Sequence, residues 1–257
     1  MSDAGSAGWD AYAPFYDWEN ARTLGRRDVG FWRGVATRED APLLELGCGT
    51  GRLLSPLART GVPVIGVDRS SDMLAYSRRR VRRLPKDLRP RLVRGDIRSL
   101  PFRDRAFGVV LAPYGMLQSL TTDADLDAVL AEAARLLRRG GLLGVDLVPD
   151  LPRWAEYGPR VSLRGRRRDG ARLTLIESVR QDRRRGRTIF DETYVERSGR
   201  RERRHTFTLT FRTLPVEEVG RRLERAGFRI EAALGDYQGG QWDERADVWV
   251  LLARRQR

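Results

Sequence analysis

LLELGCGTGRLL, residues 43–54, reads as a short apolar strand that runs into three glycines spaced two apart. Gly47, Gly49 and Gly51 strip the side chains from one side of a turn, so something is expected to lie close against that backbone. A phosphate loop of the P-loop kind ends in lysine followed by serine or threonine, whereas Gly51 is followed by Arg52 and Leu53. The dinucleotide loop spaces its glycines G-x-G-x-x-G, and this turn is GCGTG. Downstream, VIGVD closes on Asp68, about 20 residues after the first glycine, where a carboxylate can accept both hydroxyls of a ribose. The turn and Asp68 together describe a pocket for a nucleoside with no obvious place for pyrophosphate. Glu45, just before the glycines, can face a cationic group.

Outward from the turn, strand and helix alternate. APLLELG is a strand buried on both faces. TGRLLSPLART carries Leu53, Leu54, Leu57 and Ala58 on one helical face and closes at Gly61. VPVIGVD is a second strand, SSDMLAYSRRRVRRL a helix opened by an N-cap serine and stopped by Pro85, and PRLVRGD and FGVVLAPYG two further strands. DADLDAVLAEAARLLRRGG is a periodic helix with acids early, arginines late and glycine at its end, followed by the strand LLGVDLV. Such crossovers give a parallel sheet with helices on both faces and a ligand site beyond the C-terminal strand ends. The N-terminal WDAYAPFYDWENARTLGRRDVGFWRGVA is expected to be helical after about Tyr12. From Leu151 the period changes to two, with turn clusters at Asp169-Gly170, Arg185-Gly186 and Ser198-Gly199, which predicts an antiparallel meander with one wet face. The helix PVEEVGRRLERAGF and the strands RIEAALGDY and ADVWVLLAR then close the chain, the last two as a hairpin at the sheet edge. The expected fold is α/β: a doubly wound, mostly parallel seven-stranded sheet with an antiparallel last strand, plus an inserted antiparallel β meander. Its expected parts are a helical cap over 1–40, a core over 41–150 and 215–257, and the insertion over 151–214.

The chain has 257 residues and a formal charge of +14, yet Lys86 is its single lysine among 49 basic residues. Arginine almost without exception, and scattered, points to compositional background more than to a polyanion-binding stripe. The one cysteine, Cys48, excludes an internal disulfide and a cysteine-rich metal site, and no metal ligand set is expected. No run approaches the ~20 apolar residues that span a bilayer, and the N-terminus lacks a charged-then-apolar signal, so a cytoplasmic protein without membrane contact is expected.

LLELGCGTGRL with VIGVD, RGDIRSLPF, FGVVLAPYGML and LLRRGGLLGVDLV resembles the S-adenosylmethionine-dependent methyltransferases of the seven-stranded class I fold, small-molecule type. The likeness runs motif by motif over residues 43–150, and residues 215–254 fit the family's reversed last strand. It implies S-adenosyl-L-methionine as cofactor and S-adenosyl-L-homocysteine as product. By matching positions, the backbone of Gly47, Cys48, Gly49 and Gly51 passes under the methionine and ribose, with Cys48 a small packing residue and not a nucleophile. Asp68 takes the ribose, Asp96 with Ile97 the adenine, and Ala112 to Tyr114 lie beside the methyl. YAPFYD resembles the family's N-terminal cap, so Tyr12 or Tyr16 reaches the cofactor and Arg22 or Arg26 its carboxylate. Glu45, Arg69 and Met73 complete the expected cofactor set.

A sulfonium carries a good leaving group, so the protein mainly has to align a nucleophile with the methyl, and orientation alone can supply roughly 7–11 kcal/mol. Methylation at a pyrimidine C5 needs a thiolate nucleophile, and the one cysteine lies in the turn. Base-amine methyltransferases use Asn or Asp before Pro-Pro-Tyr or Pro-Pro-Phe, and here the stretch is LAPY. Transfer to O or N of a small molecule remains, with the meander as a roof over the pocket and a homodimer surface. His205 shares a strand face with Phe207, Leu209 and Phe211 and is a candidate base. Tyr114, Tyr237 and Glu192 are candidates to shape the acceptor site. The rivals are an RNA methyltransferase that binds phosphates through the arginine-rich meander, and a non-catalytic protein that binds the cofactor.

Overall fold

The structure, a computed structural model, describes residues 7–23, 27–148, 156–167, 169–243 and 245–256. Two helices come first, α1 (Ala7–Thr23) and α2 (Arg27–Ala36). Then β1 (Leu43–Leu46), α3 (Leu54–Ala58), β2 (Val64–Asp68), α4 (Ser71–Val81), β3 (Arg91–Arg94), β4 (Phe107–Ala112), α5 (Asp123–Leu136) and β5 (Leu137–Leu147) follow in alternation. β6 (Tyr157–Arg166), β7 (Arg172–Asp182), β8 (Arg187–Ser198) and β9 (Arg201–Arg212) pair in chain order as a separate antiparallel sheet. α6 (Val216–Arg225), β10 (Phe228–Leu234) and β11 (Trp249–Arg255) return to the main sheet, whose order is β10-β11-β5-β4-β1-β2-β3. β11 runs antiparallel to both neighbours, and the strands from β5 to β3 pair in parallel.

The apolar runs work as two-sided strands because both faces are covered. β1 and β4 are buried at every position. Leu44, Leu46 and Val110 face α5 and α6, whereas Leu43, Val109 and Leu111 face α2, α3 and α4. Trp32 of α2 is fully buried. A Cβ on Gly144 of β5 would stand 2.8 Å from Trp32 Cζ3 and 2.8 Å from Leu111 Cδ2, so the indole seats on bare strand backbone.

Three local expectations are corrected. The glycines after α5 do not cap it. Leu137 is already extended and paired with Phe107, and the register then shifts to Val109 against Leu142, a bulge that holds Gly140 (φ +73°) and Gly141. α4 ends at Val81, before Pro85 can stop it. α1 begins at Ala7 and carries Pro14 inside the helix.

α1 decides where the meander sits. It runs alongside α4: Asp10 accepts the Ser70 hydroxyl at 2.5 Å and the Asp72 amide at 3.2 Å, and Arg80 donates to Asp17 at 2.6 Å. Its other side, Tyr12, Ala13, Phe15 and Trp18, packs with Leu173, Leu175, Tyr194, Phe207 and Leu209 of the meander. The meander therefore packs on a helix, and it also reaches the loop after β4, where Gln118 donates to the Arg212 carbonyl at 3.1 Å. Among the described residues, no helix is long and apolar enough to cross a membrane.

Gly144→Ala is expected to push Trp32 off the sheet and destabilise the fold by about 1–3 kcal/mol, as overpacking of a filled core does. The readout is a lower urea midpoint at unchanged slope. An unchanged midpoint would contradict the seating of α2.

Candidate functional site

The glycine turn leaves β1 in a left-handed zigzag, with φ of +62° at Gly47, +52° at Gly49 and +77° at Gly51. Side-chain-bearing residues disfavour that conformation, by about 1–2 kcal/mol each. The crowding is internal at two of the three positions. A Cβ on Gly47 would meet Met116 Cγ at 2.7 Å, and one on Gly51 would meet Ser77 Oγ at 2.4 Å. Only at Gly49 does the space stay open to ordinary contact, where Tyr16 Cε1 lies at 3.7 Å. Cys48 is buried beneath the turn, with its sulfur directed at bare Gly66 backbone. Burial first, then the Glu45 charge, pushes its thiol far above the ordinary range, which leaves it a packing residue.

Asp68 fixes the turn from β2. Its Oδ2 accepts the Gly49 amide at 2.8 Å and its Oδ1 the Ser70 amide at 2.9 Å. Each oxygen keeps a lone pair for a further donor. Ser70 caps α4 by accepting the Met73 amide at 3.0 Å. Beside the turn, Glu45 is 4% exposed and its Oε2 has no hydrogen-bond partner among the described residues. Burial pushes its carboxyl up to about 8, opposed by Arg52 and reinforced by Asp68 and Asp28. Arg52 cannot neutralise it fully, because its guanidinium is taken by Asp28 of α2 at 2.9 and 2.5 Å. Tyr16 completes this cluster: burial first, then Tyr114, holds its phenol above the usual range, with Arg52 opposing and Asp68 and Glu45 adding.

β4 ends in a strained turn. Tyr114 and Gly115 both have φ of +62°, and tyrosine in that region is held only by its surroundings. The Tyr114 ring lies 5.6 Å from the Arg52 guanidinium, and its hydroxyl donates to Asn20 Oδ1 at 3.3 Å. Ala112, just before the turn, is buried. Asp146, near the end of β5, is 2% exposed. Its Oδ1 accepts the Gly115 amide at 2.9 Å and its Oδ2 the Tyr237 hydroxyl at 2.8 Å.

The remaining expected residues divide. Asp96 follows Gly95, whose amide donates to the Asp68 carbonyl, so the two acids lie at neighbouring strand ends. The Asp96 carboxylate is engaged by Arg98 at 2.9 and 2.5 Å and lies 4.0 Å from Arg69. Ile97 and Met73 are buried and Arg69 is exposed. Tyr12 turns away from the glycines: its hydroxyl donates to Glu192 at 2.9 Å. Arg22 donates to the Arg166 carbonyl at 2.6 Å and stacks on Trp18, which ties it to the meander. Arg26 lies outside the described residues. His205 packs on Phe15 with ring centroids 4.7 Å apart, and its Nε2 lies 3.5 Å from Glu196. Phe15 and Tyr16 are consecutive in α1, so the helix stands between this histidine and the glycine turn. Glu192 is buried and joins Glu19 and Glu177, with carboxylate oxygens within 4.8 Å of one another. Burial first, then Glu19, pushes Glu192 up to about 8.

Three residues that the sequence reading missed belong to the cluster: Asp28, Arg52 and Asp146. Arg52 directly follows the last glycine, and Asp146 is the one charge inside the apolar run LLGVDLV, which was a usable signal. Asp28 carried none, since its pairing with Arg52 is purely tertiary.

Residues 43–141 match a family model described as a methyltransferase domain. The demethylmenaquinone methyltransferase of Tropheryma whipplei (strain Twist) is 38% identical over 112 residues, 44% of this chain and 43% of that protein, so the match spans less than half of the relative's length. Among solved structures, the CcbJ methyltransferase of Streptomyces caelestis is similar with a TM-score of 0.81 at 22% identity, over 98% of this chain and 99% of that one. The glycopeptide N-methyltransferase MtfA, in complex with S-adenosyl-L-homocysteine, is 27% identical with a TM-score of 0.60, over 90% and 88%. Residues 43–141 are similar to a methyltransferase domain, and the chain shares its fold with solved S-adenosylmethionine-dependent methyltransferases.

Proposed function

We propose that this chain is an enzyme that transfers the methyl group of S-adenosylmethionine to an oxygen or nitrogen of a small molecule by in-line displacement. The observation that carries the reading is Glu45: a buried carboxylate oxygen without a partner among the described residues, beside a left-handed glycine turn that Asp68 holds in place. Such an oxygen is costly unless a donor arrives, and a ligand ammonium is the donor that fits. When bound, S-adenosylmethionine supplies a methyl group activated by its sulfonium.

The chain's own residues then have distinct tasks. Glu45 accepts from the ammonium, and Asp68 uses its free lone pairs for the ribose hydroxyls. The turn's backbone lies under the ligand, and Tyr16 covers it. Asp96 and Ile97 stand where the adenine edge is expected, which requires Asp96 to share its carboxylate with Arg98. Ala112 leaves room at the end of β4, and Tyr114 borders the space left for the acceptor. Placement is the main contribution, and a base is needed only for an acceptor that arrives protonated.

A small acceptor is favoured over RNA by charge. The cluster is lined by Asp28, Glu45, Asp68 and Asp146 against the single guanidinium of Arg52, which gives a phosphate no free cation there among the described residues. Many arginines are engaged in ion pairs, such as Arg222 with Asp123, Asp127 and Glu218, or Arg135 with Asp104 and Glu132. The relatives named for demethylmenaquinone and glycopeptide substrates point the same way. Incubation with methyl-labelled S-adenosylmethionine and a panel of small amines, phenols and total RNA tests the reading. Label is expected in a small molecule; transfer to RNA, falling steeply with salt as counterion release requires, would favour the rival.

Two further outcomes are expected. Asp68→Ala should weaken S-adenosylhomocysteine binding by at least about tenfold, since hydrogen bonds to a charged group contribute roughly 1.5–3 kcal/mol each; calorimetry with unchanged affinity would remove Asp68 from the site. Glu45, pushed up to about 8, is mostly protonated at neutral pH in the free protein and must ionise to meet an ammonium. Binding at pH 7 should therefore release a proton, affinity should rise with pH until about 8, and Glu45→Gln should abolish both effects. Calorimetry in buffers of different ionisation enthalpy reads the proton count.

A further inference from the structure

We propose that Asp146 is a positioning residue for methyl transfer: it holds the Tyr114–Gly115 turn in its left-handed conformation, and the Tyr237 hydroxyl fixes the carboxylate that does so. The proposal rests on the reading of this site as the place of methyl transfer. Tyr114 is one of two non-glycine residues with positive φ among the described residues, and the glycine after it shares the same conformation. Two consecutive left-handed residues need an external tie. The Gly115 amide is bound twice by Asp146, through Oδ1 at 2.9 Å and through the main-chain carbonyl at 3.2 Å. The Tyr114 amide also faces the same carboxylate.

Asp146 is itself locked. It sits in β5, paired with Val250 of β11, and is almost wholly buried. Tyr237, from the segment between β10 and β11, donates to its second oxygen while its ring packs on Phe31 and Trp32 of α2. A carboxylate between two strands thus takes a donor from each of two loops, and one of those loops carries the phenol beside the glycine turn. From that phenol the chain of contacts runs on to Asn20, whose buried Nδ2 has no hydrogen-bond partner among the described residues. The ionised aspartate accepts at both oxygens, whereas an asparagine would accept at one and reverse the bond to Tyr237. The charged and titratable groups facing this carboxylate are Tyr237, Tyr114 and Asp28, with Arg52 beside them.

The test is the backbone amide of Gly115, followed by NMR across pH in the full-length protein. Burial pushes Asp146 up to about 6, so the Gly115 amide resonance is expected to titrate near that pH. Tyr237→Phe keeps the ring but deletes the hydroxyl that stabilises the charged form, so the midpoint should move to higher pH. Asp146→Asn should abolish the titration, and in the crystal structure of Asp146→Ala, which removes the side-chain acceptors, Tyr114 should leave positive φ. Affinity for S-adenosylhomocysteine should change by about twofold or less in Tyr237→Phe. A Gly115 titration that persists in Asp146→Asn, or that is unmoved in Tyr237→Phe, overturns the proposal, as does Tyr114 remaining at positive φ in Asp146→Ala. Failure of the unaltered protein to bind S-adenosylhomocysteine would instead overturn the cofactor reading beneath it, with the amide titration still deciding whether Asp146 holds the turn. A variant of Asp146 that does not fold leaves Tyr237→Phe to decide.

Discussion

The carboxylate of Asp68 is the point through which three parts of the molecule are tied. One oxygen holds the Gly49 amide, and with it the turn that leaves β1; the other holds the Ser70 amide, at the start of α4. Ser70 in turn donates its hydroxyl to Asp10, which anchors α1, and α1 carries the inner face of the meander. Sheet, cap helix and insertion are therefore connected through one side chain at a strand end. Burial raises its pKa above the ordinary carboxylate value, and the Ser70 and Gly49 amides pull the other way. A ribose approaching this carboxylate would add donors to oxygens already held in place, which costs little reorganisation.

Around that anchor the site is built from acids and phenols, with one guanidinium already matched. Glu45 and Asp146 are both pushed upward by burial; Asp146 has donors on both oxygens, whereas Glu45 Oε2 has none among the described residues. A buried carboxylate without a partner is destabilising unless a cation arrives. On the proposed function, the same feature that costs the free protein stability would select a positively charged ligand, a trade commonly found at functional sites. The acidic lining also separates this site from the arginine-rich surface, so net charge describes the outside of the molecule and not the pocket.

The sheet was legible because two-sided burial leaves continuous apolar runs, such as VPVIGVD and FGVVLAPYG, and the meander because one wet face leaves a period of two. Asp68 and the glycines were legible from their spacing. What covers a strand face was not: His205, Phe207 and Leu209 do share a face, but nothing local says that α1 and not a ligand pocket lies over it. The glycines were attributed to an approaching ligand, whereas Met116 and Ser77 occupy two of the three positions, contacts made only by the folded chain. The pair of Asp28 and Arg52 escaped for the same reason. Asp146 was readable and unread, a charge inside an apolar strand.

A crystal structure of the complex with S-adenosyl-L-homocysteine tests the central claim most directly. The account predicts the homocysteine amine within hydrogen-bond distance of Glu45 Oε2, the ribose hydroxyls on Asp68, and the sulfur facing the space between Tyr16 and Tyr114. Density for the ligand elsewhere, or in this cleft with Glu45 still unpartnered, would contradict it.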